Sequence, residues 1–175
     1  KEKLAFLRTG DDVLLSGEIY TARDAAHKRM TEMLKRGEAL PFDIKNAIIY
    51  YVGPTPAKPG RPMGSAGPTT SYRMDPYAPM LMEEGQTGMI GKGPRSEEVI
   101  EAIKKNKAVY FAAIGGAGAL MSKKIIRSET VAFDDLGTEA LRRLTVRDMP
   151  VKVAVDSFGN DIYKTGRKKY LEEQK

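Results

Sequence analysis

Three short segments of the chain combine cations, hydroxyl groups and glycines in a way that a folding core does not need. They are residues 21–27, 64–75 and 91–96. Their candidate binding groups are Arg23, Thr69, Arg73 and Lys92. Guanidinium and ammonium groups pair with carboxylates or phosphates, and glycines allow backbone amides to approach a ligand closely. The pattern therefore predicts a site for a small, multiply charged anion.

Arg23 is the least expected of these cations on structural grounds. The sequence predicts a helix that begins at Thr21, with Asp24 three residues later in a capping-box arrangement. The helix dipole disfavours a cation in the first turn by a few tenths to about 1 kcal/mol. A surface arginine, or one paired with Asp24, is the structural alternative. Helix N-terminal amides and a guanidinium together bind anions, which favours the functional interpretation.

The segment 64–75 holds three consecutive hydroxyl side chains that begin at Thr69, followed by Arg73 and Asp75. A turn with a capping Thr or Ser would explain one hydroxyl, but neither the glycines nor the arginine. We interpret Asp75 as a partner that orients Arg73. Lys92 stands between two glycines, and both a pocket lysine and an exposed turn lysine fit that pattern.

The sequence partly matches two nucleotide-binding motifs but satisfies neither of them. A P-loop ending at Lys92 would need glycine at Gln86 and a hydroxyl residue at Gly93. A dinucleotide fingerprint in residues 116–121 would need a third glycine where Met121 stands. Neither motif is predicted. The single histidine, His27, has no partner in the sequence for a triad or a metal site, and we expect it to pack within its helix.

The elements that must position these residues alternate between strands and helices. Strands are predicted at 13–15, 47–52, 109–114, 130–133, 151–155 and 161–164. Helices are predicted from Thr21 to a cap at Gly37, from Ser96 to about Lys107, after the glycine-rich segment 115–120, and at 138–144. Residues 53–75 form a long loop rich in Pro and Gly. This order predicts an α/β fold with a mixed sheet.

Composition restricts the setting of the site. The 175 residues, 41% hydrophobic and 30% charged, fit one domain over 1–175. No apolar run approaches the roughly 20 residues of a membrane span, and the charged start is unlike a signal peptide, so we expect a cytoplasmic protein without a membrane role. The absence of cysteine excludes disulfides, thiolate nucleophiles and thiolate-bound metal sites built by this chain alone.

The net charge of +6 calls for a negatively charged partner. The lysines and arginines are scattered, tryptophan is absent, and no nucleic-acid-binding signature is present. We therefore expect no nucleic-acid partner. A nucleotide- or RNA-binding module remains the alternative from a different functional class.

Long strings of the sequence resemble the beta subunit, or C-terminal domain, of the class I fumarases and the related L-tartrate dehydratases. The resemblance covers nearly the whole chain. The strings that carry it are residues 4–11, 14–27, 51–56, 64–75, 89–95 and 134–140. Tyr72 departs from the pattern, because many members have glycine beside the arginine that corresponds to Arg73, and this leaves the choice of substrate less defined.

The resemblance implies a swivelling β/β/α domain that closes over a [4Fe–4S] cluster. Three cysteines of an alpha subunit hold that cluster and leave one iron open as a Lewis acid. It also implies reversible hydration of fumarate to L-malate, in a homo- and hetero-oligomer with the alpha subunit of fumarase. Arg23, Arg73 and Lys92 match the family's carboxylate-binding cations, and Thr69 matches its proposed catalytic threonine.

This expectation agrees with the anion site predicted from the residues. A small dicarboxylate substrate is a dianion, which two arginines and a lysine would neutralise with directional hydrogen bonds. A threonine hydroxyl is a poor base at neutral pH. Thr69 could therefore accept a proton only if nearby cations lower its pKa or if an acidic group of the other subunit relays the proton. Tartrate is the alternative substrate.

Overall fold

In the part of the chain that the structure describes, five strands close into a barrel, and a sixth strand pairs with the first half of the last one. The computed structural model describes residues 2–57, 59–113 and 118–166. Within these ranges the strands follow the order β1-β2-β3-β4-β6-β5, and β6 also pairs with β1, which closes the ring. The strands are β1 Asp12–Thr21, β2 Ile48–Tyr50, β3 Gly88–Gly91, β4 Val109–Ala112, β5 Ile125–Ala132 and β6 Leu141–Val155.

Helices connect the first four strands and cover one side of the barrel. They are α1 Asp24–Lys35, α2 Ala78–Glu83 and α3 Glu97–Asn106, and α4 Gly118–Lys123 follows β4. Short 3-10 helices span Glu2–Phe6, Ser71–Met74 and Asp134–Glu139. No helix in the described ranges has both the length and the apolar character needed to cross a bilayer.

Strands β1 to β4 run parallel, whereas β6 runs antiparallel to β1, β4 and β5. The four parallel strands therefore all end at the same side of the sheet. We call this side, where the residues that directly follow β1, β2, β3 and β4 lie, the carboxyl edge. Ligand sites in α/β proteins commonly form at such an edge, because the loops that leave the strands converge there.

Alternation along the strands produces two buried clusters. One fills the barrel interior and includes Ile19, Tyr50, Ile90, Phe111, Leu144 and Val153. The other lies between the outer face of the sheet and the helices and includes Met30, Ile49, Leu81, Met89, Ile103 and Tyr110. Successive side chains of a strand point to opposite faces, so each central strand contributes to both clusters. The prediction of a mixed α/β fold is confirmed, while the swivelling motion stays a prediction.

The ends of helix α1 show one wrong and one correct cap prediction. Thr21 still belongs to β1, Arg23 is the N-cap residue, and the Thr21 hydroxyl is buried without a hydrogen-bond partner. The predicted capping box is therefore wrong, because pairing with β2 and β6 extends β1 to Thr21. Gly37 ends the helix as predicted, with a φ of 71° and with its amide donating to the Leu34 carbonyl at 2.9 Å.

Two predicted elements near the end of the chain are wrong. Residues 138–144 do not form the predicted helix, because the short 3-10 helix ends at Glu139 and β6 begins at Leu141, where it pairs with β1 and β5 on its two sides. Residues 161–164 do not form a strand. After a single bridge between Val155 and Asp161, the Asp161 carboxylate accepts a hydrogen bond from the Tyr163 amide at 2.9 Å, and a helical turn starts.

Other boundaries differ in extent. β1 does not stop at Ser16 but continues across a bulge, and Gly17 there has a φ of 128°. Helix α2 and strand β3 were not predicted, since both are short and β3 contains two glycines. The cap at Ser96 is confirmed by its hydroxyl, which accepts from the Val99 amide at 3.3 Å. Of the predicted strand and helix over 109–120, residues 114–117 lie outside the described residues.

Candidate functional site

Arg23 lies two residues after the end of β1, at the carboxyl edge. Its side chain is one quarter exposed, and its Nε lies 3.3 Å from the Glu139 carboxylate. It does not pair with Asp24. The side chain crosses Gly53, which follows β2, so closely that a Cβ at Gly53 would lie 2.6 Å from the Arg23 Nη1. Gly53 therefore provides the space that Arg23 occupies.

Thr69 and its neighbours fill the gap between the ends of β2 and β3. The Thr69 amide donates to the Tyr51 carbonyl at 2.7 Å, Thr70 forms a parallel bridge with Lys92, and the Ser71 amide donates to the Lys92 carbonyl at 2.9 Å. Thr69 is half-buried. Its hydroxyl makes no hydrogen bond within the described ranges, so it is free to meet a ligand.

Arg73 and Lys92 differ in how they are held. Arg73, whose side chain is 46% exposed, forms an ion pair with Asp24 at the start of α1. The interpretation that Asp75 orients Arg73 is therefore wrong. Lys92 is exposed at the end of β3, and its ammonium group has no ion-pair partner in the part of the chain that the structure describes. Its position is fixed through its backbone.

Asp75 instead belongs to a buried ion pair that the sequence did not reveal. Its two carboxylate oxygens accept hydrogen bonds of 2.7 Å from the Arg95 Nε and from the Ser96 amide. The Arg95 side chain is completely buried, and its guanidinium lies 5.3 Å and 4.9 Å from the ring centres of Tyr51 and Tyr110. This ion pair ties the segment that carries Thr69 and Arg73 to the start of α3.

A second link joins the same segment to the backbone around Lys92. The Tyr110 hydroxyl donates to the Gly93 carbonyl at 2.8 Å and lies 2.8 Å from the Ser71 hydroxyl, which donates to it. Burial raises the pKa of Tyr110 above its ordinary value, so this phenol stays protonated as a donor. A Cβ at Gly91 would lie 2.0 Å from the Ser71 Oγ, so this close approach requires glycine.

His27 lies behind Arg23 in helix α1 and is completely buried. Its Nδ1 is 2.9 Å from the Arg23 carbonyl, to which a protonated Nδ1 donates, and its Nε2 has no hydrogen-bond partner in the described ranges. Burial, and secondarily the positive charge of Arg95, lower the pKa of His27 to about 4. The ring packs against Tyr51, with the ring centres 5.2 Å apart. His27 is thus a neutral packing residue that holds the backbone of Arg23.

The four predicted site residues all follow parallel strands at the carboxyl edge. Arg23 follows β1, Thr69 is bonded to the chain after β2, and Lys92 follows β3. Arg73 is tied to the start of α1, next to Arg23, through Asp24. The sequence predicted these four residues as candidates but none of their ion-pair partners, since ion pairs between segments distant in sequence leave no local pattern.

No group of three or more His, Asp or Glu side chains in the described ranges is arranged to hold a metal ion. The full chain has no cysteine. Protein iron–sulfur clusters are held mainly by cysteine thiolates, so the donor set of this chain does not fit such a cluster. The carboxyl edge instead presents the cations described above, the free Thr69 hydroxyl and backbone amides.

Comparison with known proteins places these observations in a family. Residues 1–166 match the family model described as "Fumarase C-terminus". "Fumarate hydratase 2" of Leishmania major is 39% identical over 93% of this chain and 29% of its own length. "Fumarate hydratase class I, anaerobic" of Escherichia coli K12 is 40% identical over 85% of this chain and 28% of its own length.

A third relative is close to this chain in length. The "Putative L(+)-tartrate dehydratase subunit beta" of Methanocaldococcus jannaschii is 41% identical over 99% of this chain and 92% of its own length. In contrast, the chain spans less than a third of each of the two fumarate hydratases. From its match over residues 1–166, the chain belongs to the fumarase C-terminus family.

Proposed function

We propose that this chain is the beta-type part of a hydro-lyase that interconverts fumarate and L-malate. The observation that carries the proposal is the placement of Arg23, Thr69, Arg73 and Lys92 at one sheet edge, in a chain of the fumarase C-terminus family. The names of its relatives support the reaction class. The proposal concerns an assembly, because this chain is much shorter than the fumarate hydratases it matches.

The cations would bind the two substrate carboxylates. Arg73 and Arg23 face Asp24 and Glu139 respectively, and both ion pairs are partly exposed. Ion pairs of this kind contribute about 0–1 kcal/mol, so a substrate carboxylate can share or replace the internal partner at low cost. Lys92, which has no ion-pair partner in the described ranges, adds a third positive charge. A dianion in this position neutralises charges that the chain alone leaves in excess.

Thr69 would handle the proton at C3 of malate. Its hydroxyl makes no hydrogen bond within the described ranges, and its backbone is fixed by the bond to Tyr51. Removal of that proton builds negative charge on the adjacent carboxylate, and the arginines and the lysine would stabilise it. Lowering of the Thr69 pKa by these cations, or a relay through a carboxylic group of a partner subunit, would make the hydroxyl competent.

An alpha-type partner would supply the [4Fe–4S] cluster, since this chain has no cysteine to hold one. The word "subunit" in the name of the archaeal relative supports a partner chain. We propose a hetero-oligomer in which the carboxyl edge faces that partner. In it, this chain binds and orients the diacid and positions the hydroxyl group.

L-Tartrate is the second candidate substrate, and a specific observation favours it. The relative that matches this chain over nearly its full length is named as a tartrate dehydratase subunit. Tartrate carries one more hydroxyl than malate, and the same three cations could hold its two carboxylates.

Reconstitution with an alpha-type subunit tests both candidates. We expect fumarate hydration to exceed tartrate dehydration in kcat/KM, and Arg73→Gln to raise KM for malate at least about tenfold through the loss of a charged hydrogen bond. Arg147→Gln, at an exposed residue on β6, serves as a matched control with unchanged KM. A preference for tartrate would select the second candidate. Activity on neither diacid, in a complex with an intact cluster, would refute the proposal.

A further inference from the structure

The end of the barrel beside the carboxyl edge contains a cavity of about 330 Å³, a volume within the usual range for small-molecule sites. One wall is the loop that includes Pro54 and Met63, and the other includes Ser128, Thr138 and Arg142. Met63 packs into the barrel interior, and Arg142 lies on the face of β6 that also carries Leu144. The cavity therefore opens at the mouth of the barrel, and none of the four candidate residues lines it.

Arg142 is an unusual residue for such a wall. Its Nη1 donates to the Thr130 hydroxyl at 2.9 Å, while its Nε is buried and has no hydrogen-bond partner in the described ranges. The strand register places Thr21 of β1 directly opposite Arg142, and the Thr21 hydroxyl is likewise buried without a partner. Buried groups of this kind are rare unless water or a ligand completes them.

These unpaired atoms are concentrated in one place. Six buried side-chain N or O atoms lack a partner among the described residues. Four of the six lie in the short stretch where β1 meets α1 and in Arg142 beside it, namely Thr21 Oγ1, Arg23 Nε, Asp24 Oδ1 and Arg142 Nε. Among these four residues only Arg142 lines the cavity, and the Arg23 Nε already lies 3.3 Å from the Glu139 carboxylate, so the contacts that a molecule in the cavity would complete are those of Arg142.

We propose that this cavity binds a small hydroxy monocarboxylate. Its wall contains one guanidinium, which suits one carboxylate, and the hydroxyls of Ser128 and Thr138 can donate further hydrogen bonds. The rings of the prolines and Met63 accommodate a short apolar part. Asp134, which also lines the cavity, accepts a hydrogen bond from the ligand's hydroxyl and repels a second carboxylate. The proposal does not depend on the proposed function.

NMR with the isotope-labelled full chain tests the proposal, with L-lactate as the probe. We expect saturable shifts of the Thr138 and Arg142 amides and of the Met63 methyl group, and weaker binding of succinate at the same signals because of Asp134. Arg142→Gln should weaken lactate binding at least about tenfold, the loss of a charged hydrogen bond. Arg73→Gln, at the carboxyl edge, should leave it unchanged.

Arg142→Lys keeps the positive charge but removes the planar guanidinium, so it provides the same comparison if the glutamine variant does not fold. We expect it to weaken lactate binding about fivefold or more, because the Nε–H is lost. Several results would overturn the proposal. They are shifts that do not saturate, lactate affinity unchanged in both Arg142 variants, or lactate shifts confined to the residues around Arg73 and Lys92.

Discussion

Lowering the pH through the range where an ordinary histidine titrates should destabilise this chain through His27. In the folded state this buried ring has a pKa of about 4, whereas an exposed histidine in the unfolded chain has a pKa of about 6.5. Between these values the unfolded state binds a proton that the folded state does not. The stability that depends on neutral His27 is therefore fully present above about pH 6.5, and it is lost progressively as the pH falls towards about 4.

The expected size follows from the two pKa values. Each pKa unit corresponds to about 1.4 kcal/mol, so the full effect is about 3.5 kcal/mol, of which about 2 kcal/mol is lost between pH 7 and pH 5. Carboxylates with lowered pKa values, such as those of Glu129 and Asp156, lose their stabilising contribution only as the pH falls below the ordinary carboxyl values of 4.5 and 3.8. They therefore act mainly below the window in which His27 dominates.

Urea unfolding at several pH values, followed by circular dichroism, measures this loss. The control is His27→Gln, which removes the titrating group and keeps an amide able to donate to the Arg23 carbonyl. We expect its stability to change by less than about 0.5 kcal/mol between pH 7 and pH 5. Because the chain has one histidine, its imidazole NMR signals need no assignment. The reasoning is refuted if those signals titrate near pH 6.5, or if both proteins show the same pH dependence.

Three further predictions concern the segments that hold the candidate residues. Asp75→Asn should lower the free energy of unfolding by about 3–5 kcal/mol, because it leaves the buried Arg95 charge unpaired. Asp135→Asn, at an exposed ion pair, is the control and should lower it much less. Equal losses in denaturant unfolding would contradict this. Gly91→Ala should lower the free energy of unfolding by about 1–3 kcal/mol, since the added Cβ would collide with the Ser71 hydroxyl. Gly166→Ala is the matched control in thermal unfolding, because open space surrounds Gly166. In the assembled enzyme, Thr69→Val should reduce kcat by about 10²–10⁴ with malate affinity kept, and near-full turnover would refute its role.

Local hydrogen bonding explains which parts of the fold the sequence predicted. The helix end at Gly37 and the cap at Ser96 depend on residues three or four positions away, and both predictions are confirmed. The cap at Thr21 failed because strands distant in sequence pair with that residue and keep it in β1. The same cause explains why residues 138–144 were mistaken for a helix. Closure of the barrel depends entirely on such distant pairing.

In the candidate site, too, local features were predicted from the sequence and contacts between distant segments were not. Arg23, Thr69, Arg73 and Lys92 stand out because their residue types are unexpected in their local setting. Their supports do not stand out, since the pairs Arg73 with Asp24 and Arg95 with Asp75 join segments that meet only after folding. The last of these pairs spans 20 residues of sequence. An acidic residue two positions after Arg73 suggested the wrong partner, because sequence proximity is a poor guide to pairing in a loop.

The closure of the barrel by β6 has a consequence for synthesis of the chain. β1, near the start of the described residues, pairs along its length with β6, which ends at Val155. During translation one edge of β1 therefore stays unpaired until residues 141–155 have left the ribosome. Contacts of such long range slow folding, and unpaired strand edges promote association with other chains. A chaperone that shields the unpaired edge of β1, or slow growth at low temperature during expression, should raise the yield of recombinant protein.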